Sequence, residues 1–478
     1  MLFNSLHFVL FFPLVVAAYF LLPFKYRWAF LLGASYYFYM CWKPEYVLLL
    51  LFSTLIDYYA GVQIGKSANP RKRKLLLCLS LGTNLGTLFL FKYFNFLNAS
   101  MRACFDHFNI FYNVPMFELL LPVGISFYTF QTMSYVIDVY RGEQQAEKHL
   151  GLFALYVTFF PQLVAGPIER STALMPQFYE RHSFDWHRTL DGLKIMLWGF
   201  FKKIVIADRL AGYVNQVYND PAGADGINLL MATYFFAFQI YCDFSGYSDI
   251  AVGAAKVLGY RLMSNFERPY LAQSIAEFWK RWHISLSTWF KDYLYIPLGG
   301  KRVAKWRWCF NLFLVFLVSG LWHGANWTFV VWGALHGFYL VFSILTGNLR
   351  DKLKHALALD RLPSLVKIFR VAITFHLVLL AWIFFRANHM SDALLIIEKV
   401  FHAFSGAVLP AMAKLIAMHD LLFLLALLAL MNFYERFQSS LRTFLQNRLV
   451  AVALASVLFW GIVVWGAFNN QQFIYFQF

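Results

Sequence analysis

Two histidines are the side chains in this sequence most suited to acid–base chemistry. His283 directly follows Trp282, and His323 directly follows Trp322. A neutral imidazole, with an unperturbed pKa of about 6.5, can take a proton from a hydroxyl group at neutral pH. His323 is therefore the candidate general base, acting on an acceptor hydroxyl as it attacks a thioester carbonyl. His283 is the candidate that orients the acceptor, donates to the developing oxyanion or relays a proton.

His323 is the more unusual of the two because it lies between apolar runs, residues 311–318 and 327–335, with glycines at 320 and 324. An imidazole at membrane depth is costly unless it has a partner or lines a wet cavity. Glycines let backbones or a ligand approach closely. We interpret His323 as a base at the bottom of a polar funnel. The alternatives are a structural histidine between packed helices and part of a proton-coupled transporter or flippase, although we find no inverted repeat to favour a transporter.

Other side chains nearby are candidates for binding the substrate. The indoles of Trp282 and Trp322 would exclude water, which would otherwise hydrolyse a thioester. The polar candidates are Ser319, Asn326, Asp243 and Tyr247. Asp243 and Asp249 are six residues apart and do not stack on one helical face, which argues against a paired-carboxylate acid–base site. An alternative role for these aspartates is to hydrogen-bond and orient other polar groups.

No nucleotide-binding loop, nucleophile elbow or metal-spaced histidine motif occurs in the sequence. Each of these motifs places defined ligands or a nucleophile at a fixed spacing, so its absence removes the corresponding prediction. We therefore predict no metal site and no bound cofactor. An acyl thioester would enter as a substrate.

Membrane helices must position these groups. Of the 478 residues, 60% are apolar and 14% are charged, whereas soluble proteins carry about 25% charged residues. The mean hydropathy is +0.55. Because one span takes about 20 apolar residues, we predict an all-α polytopic membrane protein with about 11 transmembrane helices, together with re-entrant and half-embedded helices.

The hydropathy pattern places most of the predicted elements. Residues 150–178 predict a re-entrant segment, because prolines and a glycine interrupt an apolar run. Residues 228–260 predict a long helix pair, residues 268–307 half-embedded helices, and residues 349–370 a basic loop. We expect one domain over residues 1–478, with N-terminal helices in 1–140, a catalytic core in 141–346 and C-terminal helices in 347–478. The predicted spans are 6–22, 28–42, 45–64, 75–97, 117–140, 310–321, 327–346, 371–385, 415–433 and 449–467.

The net charge of +16 does not indicate nucleic-acid binding, because the basic residues lie in short loops, as the positive-inside rule expects. Residues 66–74 hold five basic residues and no acid, which predicts a cytoplasmic loop and an N-terminus on the outer, periplasmic side. Residues 268–307 are also strongly basic. They could attract an anionic donor such as coenzyme A or a phosphopantetheine carrier, or anionic lipid head groups, or simply follow the positive-inside bias.

Several motifs resemble those of the membrane-bound O-acyltransferase (MBOAT) family, over most of the chain. More narrowly, they resemble the bacterial branch that acylates alginate, peptidoglycan or teichoic acid. By this resemblance, His323 matches the family's near-universal catalytic histidine. His283 matches the second histidine of the branch, where many other members carry asparagine. The motifs are Met1–Ser5, Phe160–Ile168, Tyr241–Asp249, Phe278–Ser285, Leu294–Gly300, Ser319–Gly324 and the closing Phe473–Phe478.

The resemblance implies a fold and a function. The fold would be a ring of transmembrane helices around a thin centre pierced by a funnel. The protein would be a multi-pass protein of the bacterial inner membrane, in contact with membrane lipids. It would take acetyl from a cytoplasmic acyl-CoA, acetyl-CoA first, or from an acyl carrier, and pass it to periplasmic acetyltransferase partners that modify an exported polysaccharide such as alginate. The alternatives are peptidoglycan or teichoic-acid acylation, a lipid or protein acyltransferase with a longer acyl tunnel, and a transporter without acyl chemistry.

Overall fold

A computed structural model describes residues 1–117, 120–164, 166–357, 359–403, 429, 448–468 and 473–476. Over these residues the regular structure is helical, with no strand. A helix satisfies its backbone hydrogen bonds internally, which is what a lipid environment demands. The predicted all-α polytopic membrane class is confirmed. The predicted span 415–433, apart from residue 429, and the last two residues of the closing motif lie outside the described part of the chain.

The described chain divides into two compact units, and the first comprises Met1–Met196 with Tyr247–Met263. A π-helical turn, Phe89–Tyr93, joins two of its helices, α4 and α5, into one continuous rod. The predicted re-entrant segment 150–178 forms three short helices, with Pro161 in the first turn of its second one, where the missing N–H is tolerated. The helices are α1 Leu6–Leu21, α2 Phe24–Met40, α3 Tyr46–Lys66, α4 Pro70–Leu88, α5 Phe94–His107, α6 Ile125–Arg141, α7 Leu150–Thr158, α8 Phe160–Leu163 and α9 Ser171–Phe178.

A buried polar cluster joins helices α3 and α4 of this unit. The Asp57 carboxylate accepts hydrogen bonds from Ser80 Oγ at 2.5 Å and from Asn84 Nδ2 at 2.9 Å. Ser53 Oγ donates to Asn84 Oδ1 at 3.0 Å. Polar side chains inside a membrane bundle are stabilised by pairing with one another, so this cluster sets how the two helices meet.

The second unit comprises Leu197–Gly246 with Ser264–Phe478. Helices α10 (Trp186–Phe200) and α12 (Gly226–Leu258) contribute residues to both units. Two π-helical turns, Phe201–Ala207 and Lys291–Tyr295, and a 3-10 turn, Ile474–Phe476, also belong to this unit. Its remaining helices are α11 Asp208–Tyr218, α13 Ile275–Arg281, α14 Ile284–Phe290, α15 Lys305–His323, α16 Trp327–Leu345, α17 Gly347–Ala356, α18 Pro363–Arg386, α19 Met390–Ala403 and α20 Arg448–Trp465.

Five helical segments among the described residues are long and apolar enough to cross a membrane. They are α3, the continuous rod Pro70–His107, α12, α16 and α18. Other predicted spans coincide with shorter helices, such as α1 with 16 residues and α2 with 17. A span takes about 20 residues, so these helices do not reach a full span by length and composition alone. The prediction of one domain in three sections stays a prediction.

Two sequence-based predictions were wrong. Residues 228–260 form the single helix α12 instead of a helix pair. A glycine inside a helix costs about 1 kcal/mol, but here close packing offsets that cost, because a Cβ at Gly246 would lie 2.8 Å from the Gly199 carbonyl oxygen. The basic segment 349–370 is also not a loop, since it holds most of α17 and the first turns of α18.

Helices α15 and α16 pack closely through glycines. A Cβ added at Gly320 would collide with the backbone carbonyl of Phe329, and one at Gly333 would collide with that of Phe316. Small residues are what allow membrane helices to approach this closely. The contact matters for the site because α15 ends at His323, one turn after Gly320.

We expect Gly320→Ala to destabilise the protein, because the added methyl group must push α15 and α16 apart. Overpacking of this kind costs about 1–3 kcal/mol, visible as a lower midpoint of thermal unfolding in detergent. The matched control is Gly86→Ala in α4, where a Cβ would meet nothing within 4 Å. An unchanged midpoint for Gly320→Ala would show that the helix pair adapts without strain.

Candidate active site

His323 is the last residue of α15, and its side chain is buried. Ser319 is buried one turn earlier and points along the same helical face, since it is four residues away. Aromatic rings surround the imidazole. Their centroids lie at 4.9 Å for Trp332, 5.0 Å for Trp322, 5.4 Å for Phe385 and 5.6 Å for Tyr475.

His283 lies between α13 and α14 in a left-handed backbone conformation, with φ 43° and ψ 57°. This conformation costs a residue with a Cβ about 1–2 kcal/mol. Asn265 helps to hold it, because its carbonyl oxygen accepts from Ile284 N at 2.9 Å and its Oδ1 accepts from Ser285 Oγ at 2.7 Å. His283 lies outside the spanning helices and is fully buried. Desolvation lowers its pKa to about 3, which keeps the imidazole neutral.

The two histidines, forty residues apart in sequence, share two aromatic neighbours. The Trp322 ring lies 6.1 Å from His283 and 5.0 Å from His323. The Tyr475 ring lies 6.2 Å from His283 and 5.6 Å from His323. The structure therefore brings both candidate catalytic residues to one aromatic-walled site, together with the candidate Trp322 and with Tyr475.

Asp243 belongs to a buried ion cluster that we define as Asp208, Lys203 and Asp243. Lys203 Nζ lies 2.7 Å from Asp208 Oδ1 and 2.8 Å from Asp243 Oδ1. The second oxygen of Asp243, Oδ2, accepts a hydrogen bond from the backbone N–H of Ile474 at 2.8 Å. This geometry supports the alternative role of Asp243, which is to orient other groups. Sequence spacing did not identify Lys203 and Asp208 as the partners of Asp243. The only sign in the sequence was that charged residues interrupt the apolar run in which Lys203 and Asp208 lie.

The remaining candidates have structural contacts of their own. Trp282 is buried, and its ring centroid lies 5.0 Å from that of Phe266. Asn326 caps α16, accepting from Thr328 N at 3.1 Å. Tyr247 lies in the first unit, where its hydroxyl donates to Asn4 Oδ1 at 3.2 Å.

Helix α16 carries a row of buried polar atoms, and one member of the row, Trp332, lies against His323. The atoms are Thr328 Oγ1, Trp332 Nε1, His336 Nε2 and the Tyr339 hydroxyl, and none has a hydrogen-bond partner among the described residues. Intervals of four, four and three residues place them on one helical face, over about 16 Å of helix. We call them the polar row. A buried polar group without a partner is costly, so the row is suited to a ligand with hydrogen-bonding groups along its length.

His336 lies on α16, whereas His323 ends α15, so their spacing of thirteen residues in sequence does not fix how the two rings face each other. Trp279 Nε1 donates to His336 Nδ1 at 3.3 Å, so the neutral ring carries its proton on Nε2. The Trp332 ring lies 4.9 Å from both His323 and His336. The four-residue spacing along α16 was the signal that could have found the polar row.

The arrangement is suited to proton transfer away from bulk water. A buried, neutral imidazole can accept a proton from a hydroxyl group, and the surrounding rings exclude water that would compete as an acyl acceptor. A second imidazole in the same site can donate a hydrogen bond where negative charge develops. Within the described ranges, no group of three or more histidine, cysteine or acidic side chains is placed to hold a metal ion.

Comparison with known proteins gives consistent similarities. The family model described as MBOAT, membrane-bound O-acyltransferase family, matches residues 148–384, which include both histidines. The chain is 42% identical to the probable alginate O-acetylase AlgI of Azotobacter vinelandii, over 82% of this chain and 76% of that protein. It is 36% identical to the peptidoglycan O-acetyltransferase of Helicobacter pylori, over 76% and 72%. It is 27% identical to the teichoic acid D-alanyltransferase of Bacillus subtilis, over 55% and 68%.

Proposed function

The chain belongs to the membrane-bound O-acyltransferase family, and we propose that it is an O-acetyltransferase that moves acetyl from a cytoplasmic thioester towards an exported polysaccharide. The observation that carries this proposal is the pair of buried histidines, which share Trp322 and Tyr475 as neighbours in one site.

In the proposed reaction, His323 is the general base. It takes the proton of the acceptor hydroxyl as the oxygen attacks the thioester carbonyl, and the carbon–sulfur bond then breaks. The proton passes from His323 to the leaving thiolate, so the products are an oxygen ester and a free thiol. His283 orients the acceptor or donates to the oxyanion of the tetrahedral intermediate.

The polar row supports a donor with a long hydrogen-bonding arm. Thr328, Trp332, His336 and Tyr339 each offer a buried hydrogen-bond donor without a partner in the described chain. The pantetheine arm of coenzyme A or of an acyl carrier protein has amide carbonyls that can accept such bonds. We propose acetyl-CoA as the donor, with an acetylated carrier as the alternative.

The acceptor side of the proposal rests on the named relatives. Their names include alginate O-acetylase and peptidoglycan O-acetyltransferase, which supports an exported glycan, alginate or a similar polymer, as the final acceptor. Periplasmic acetyltransferase partners would complete the transfer. We place the protein in the bacterial inner membrane, with its N-terminus on the periplasmic side. Acylation of peptidoglycan or teichoic acid by the same site is the second candidate.

The test uses purified protein in nanodiscs with radiolabelled acetyl-CoA and an alginate oligosaccharide. We expect thiol release and label transfer that depend on the protein. A long-chain acyl-CoA is the matched donor control and should react much more slowly. Preference for the long chain would favour a lipid or protein acyltransferase. Absence of cleavage with acetyl-CoA and with an acetylated carrier, partners supplied, would overturn the proposal.

A further inference from the structure

Burying the three charged groups of the ion cluster costs free energy, and the proposed reaction does not use them. The side chains of Lys203, Asp208 and Asp243 are 1%, 2% and 4% exposed, and the cluster places two carboxylates around one ammonium group. Buried ion pairs contribute little net stability, because desolvation cancels most of the attraction. A role in orienting something else is therefore a better account of the cluster than a role in stability.

The cluster binds the backbone near the end of the described chain. Ile474 begins the 3-10 turn Ile474–Phe476, and its N–H donates to Asp243 Oδ2 at 2.8 Å. The first N–H groups of a helical turn have no partner within the turn, so a carboxylate from elsewhere can cap it. Asp243 supplies this cap from 231 residues away in sequence.

The same turn carries an aromatic ring of the active site. Tyr475 lies against both His283 and His323, as described above. Phe244, directly after Asp243, reinforces the connection, since its ring lies 4.5 Å from Tyr475 and 4.6 Å from His283. An unbroken series of contacts thus runs from the ion cluster through the Ile474 amide to both imidazoles.

We propose that Lys203 and Asp208 are positioning residues that hold Asp243 as a latch on the Ile474–Phe476 turn. Lys203 neutralises the repulsion between the two carboxylates and fixes Oδ1 of Asp243. That leaves Oδ2 aimed at the Ile474 N–H. The latched turn keeps the Tyr475 ring against the two histidines, which shapes the space where acyl transfer occurs. This inference rests on the proposed function only for its effect on catalysis.

The hydrogen bond can be removed without changing the ion cluster. Ile474→Pro deletes the N–H at the first position of the turn, where proline's backbone geometry is tolerated. Ile474→Ala also loses the side chain but keeps the N–H. We expect Ile474→Pro to lower kcat for thioester cleavage about 10- to 100-fold relative to Ile474→Ala, as small misplacements in active sites do, with KM for the donor little changed. Equal kcat values would overturn the latch.

Lys203→Met tests the other end of the latch. Its matched control is Lys202→Met, which removes the neighbouring buried lysine, whose Nζ donates to Ser245 Oγ at 2.8 Å. We expect kcat to fall more in Lys203→Met than in Lys202→Met. The double variant Ile474→Pro/Lys203→Met should be no slower than the worse single variant, because both break one link. Independent, multiplying losses would show that Lys203 acts by another route.

A measurement without catalysis separates this inference from the proposed function. Hydrogen exchange of the backbone amides of Ile474–Phe476, read by mass spectrometry, should be slow in the wild type and in Lys202→Met. It should be faster in Lys203→Met and in Asp243→Ala. This result would support the latch even if acetyl-CoA proved not to be the donor. Unchanged exchange in both Lys203→Met and Asp243→Ala would overturn the latch even if thioester cleavage were confirmed.

Discussion

Replacement of His323 by alanine should abolish acyl transfer while the protein still folds. A general base contributes about 100- to 10,000-fold to a rate, and His323 lies against the same Trp322 and Tyr475 rings as His283. Thiol release from acetyl-CoA, followed with purified wild type and variant, measures the loss directly. His323→Gln refines the test, because an amide keeps polar contacts but cannot take a proton.

A histidine away from the site provides the control for this prediction. His376 is exposed on α18, where its Nε2 shares a 2.6 Å hydrogen bond with the Tyr234 hydroxyl. We expect His376→Ala to keep close to wild-type activity. Near-normal transfer by His323→Ala, with a single sharp peak in size-exclusion chromatography, would remove His323 from the role of base.

Replacement of His283 by alanine should lower transfer about 100- to 1000-fold, the usual effect of removing one oxyanion donor. His283→Asn is the informative companion variant. Asparagine tolerates the left-handed conformation better than other residues with a Cβ, and its side-chain NH₂ can still donate. We expect it to retain much more activity than His283→Ala if His283 donates or orients. A proton relay would fail equally in both variants.

The backbone at position 283 requires a separate control. His283→Gly accepts the left-handed conformation without strain and removes the imidazole. We expect it to be as inactive as His283→Ala, with a higher midpoint of thermal unfolding. If His283→Gly recovered the activity lost in His283→Ala, the loss in the alanine variant would come from backbone strain and not from the missing imidazole.

The sequence by itself determined the class of this protein and singled out two of its thirteen histidines as catalytic candidates. In a membrane, long apolar runs can pair their backbone N–H and C=O groups internally as helices. This requirement predicted the all-α class. Trp-His pairs beside apolar sequence identified His283 and His323, because an imidazole is costly there without a function or a partner. The motifs around them already resembled the family that the comparisons support. All of this information is local in the chain.

Helix boundaries were less predictable from sequence. Residues 228–260 suggested two helices, but α12 is continuous because packing around Gly246 offsets the cost of an interior glycine. Propensity is a weak prior that tertiary contacts override. The prediction of a loop over residues 349–370 was wrong because it relied on the high charge of the segment. The same residues also form helices readily.

Only the tertiary structure decided which distant residues act together. Asp243 was judged against Asp249, its neighbour in sequence, whereas its partners are Lys203, Asp208 and the Ile474 amide. His323 and His336 both lie against Trp332, although they belong to different helices. Spacing rules describe one helix at a time. Contacts between helices depend on how their faces pack, and the sequence does not record that packing locally.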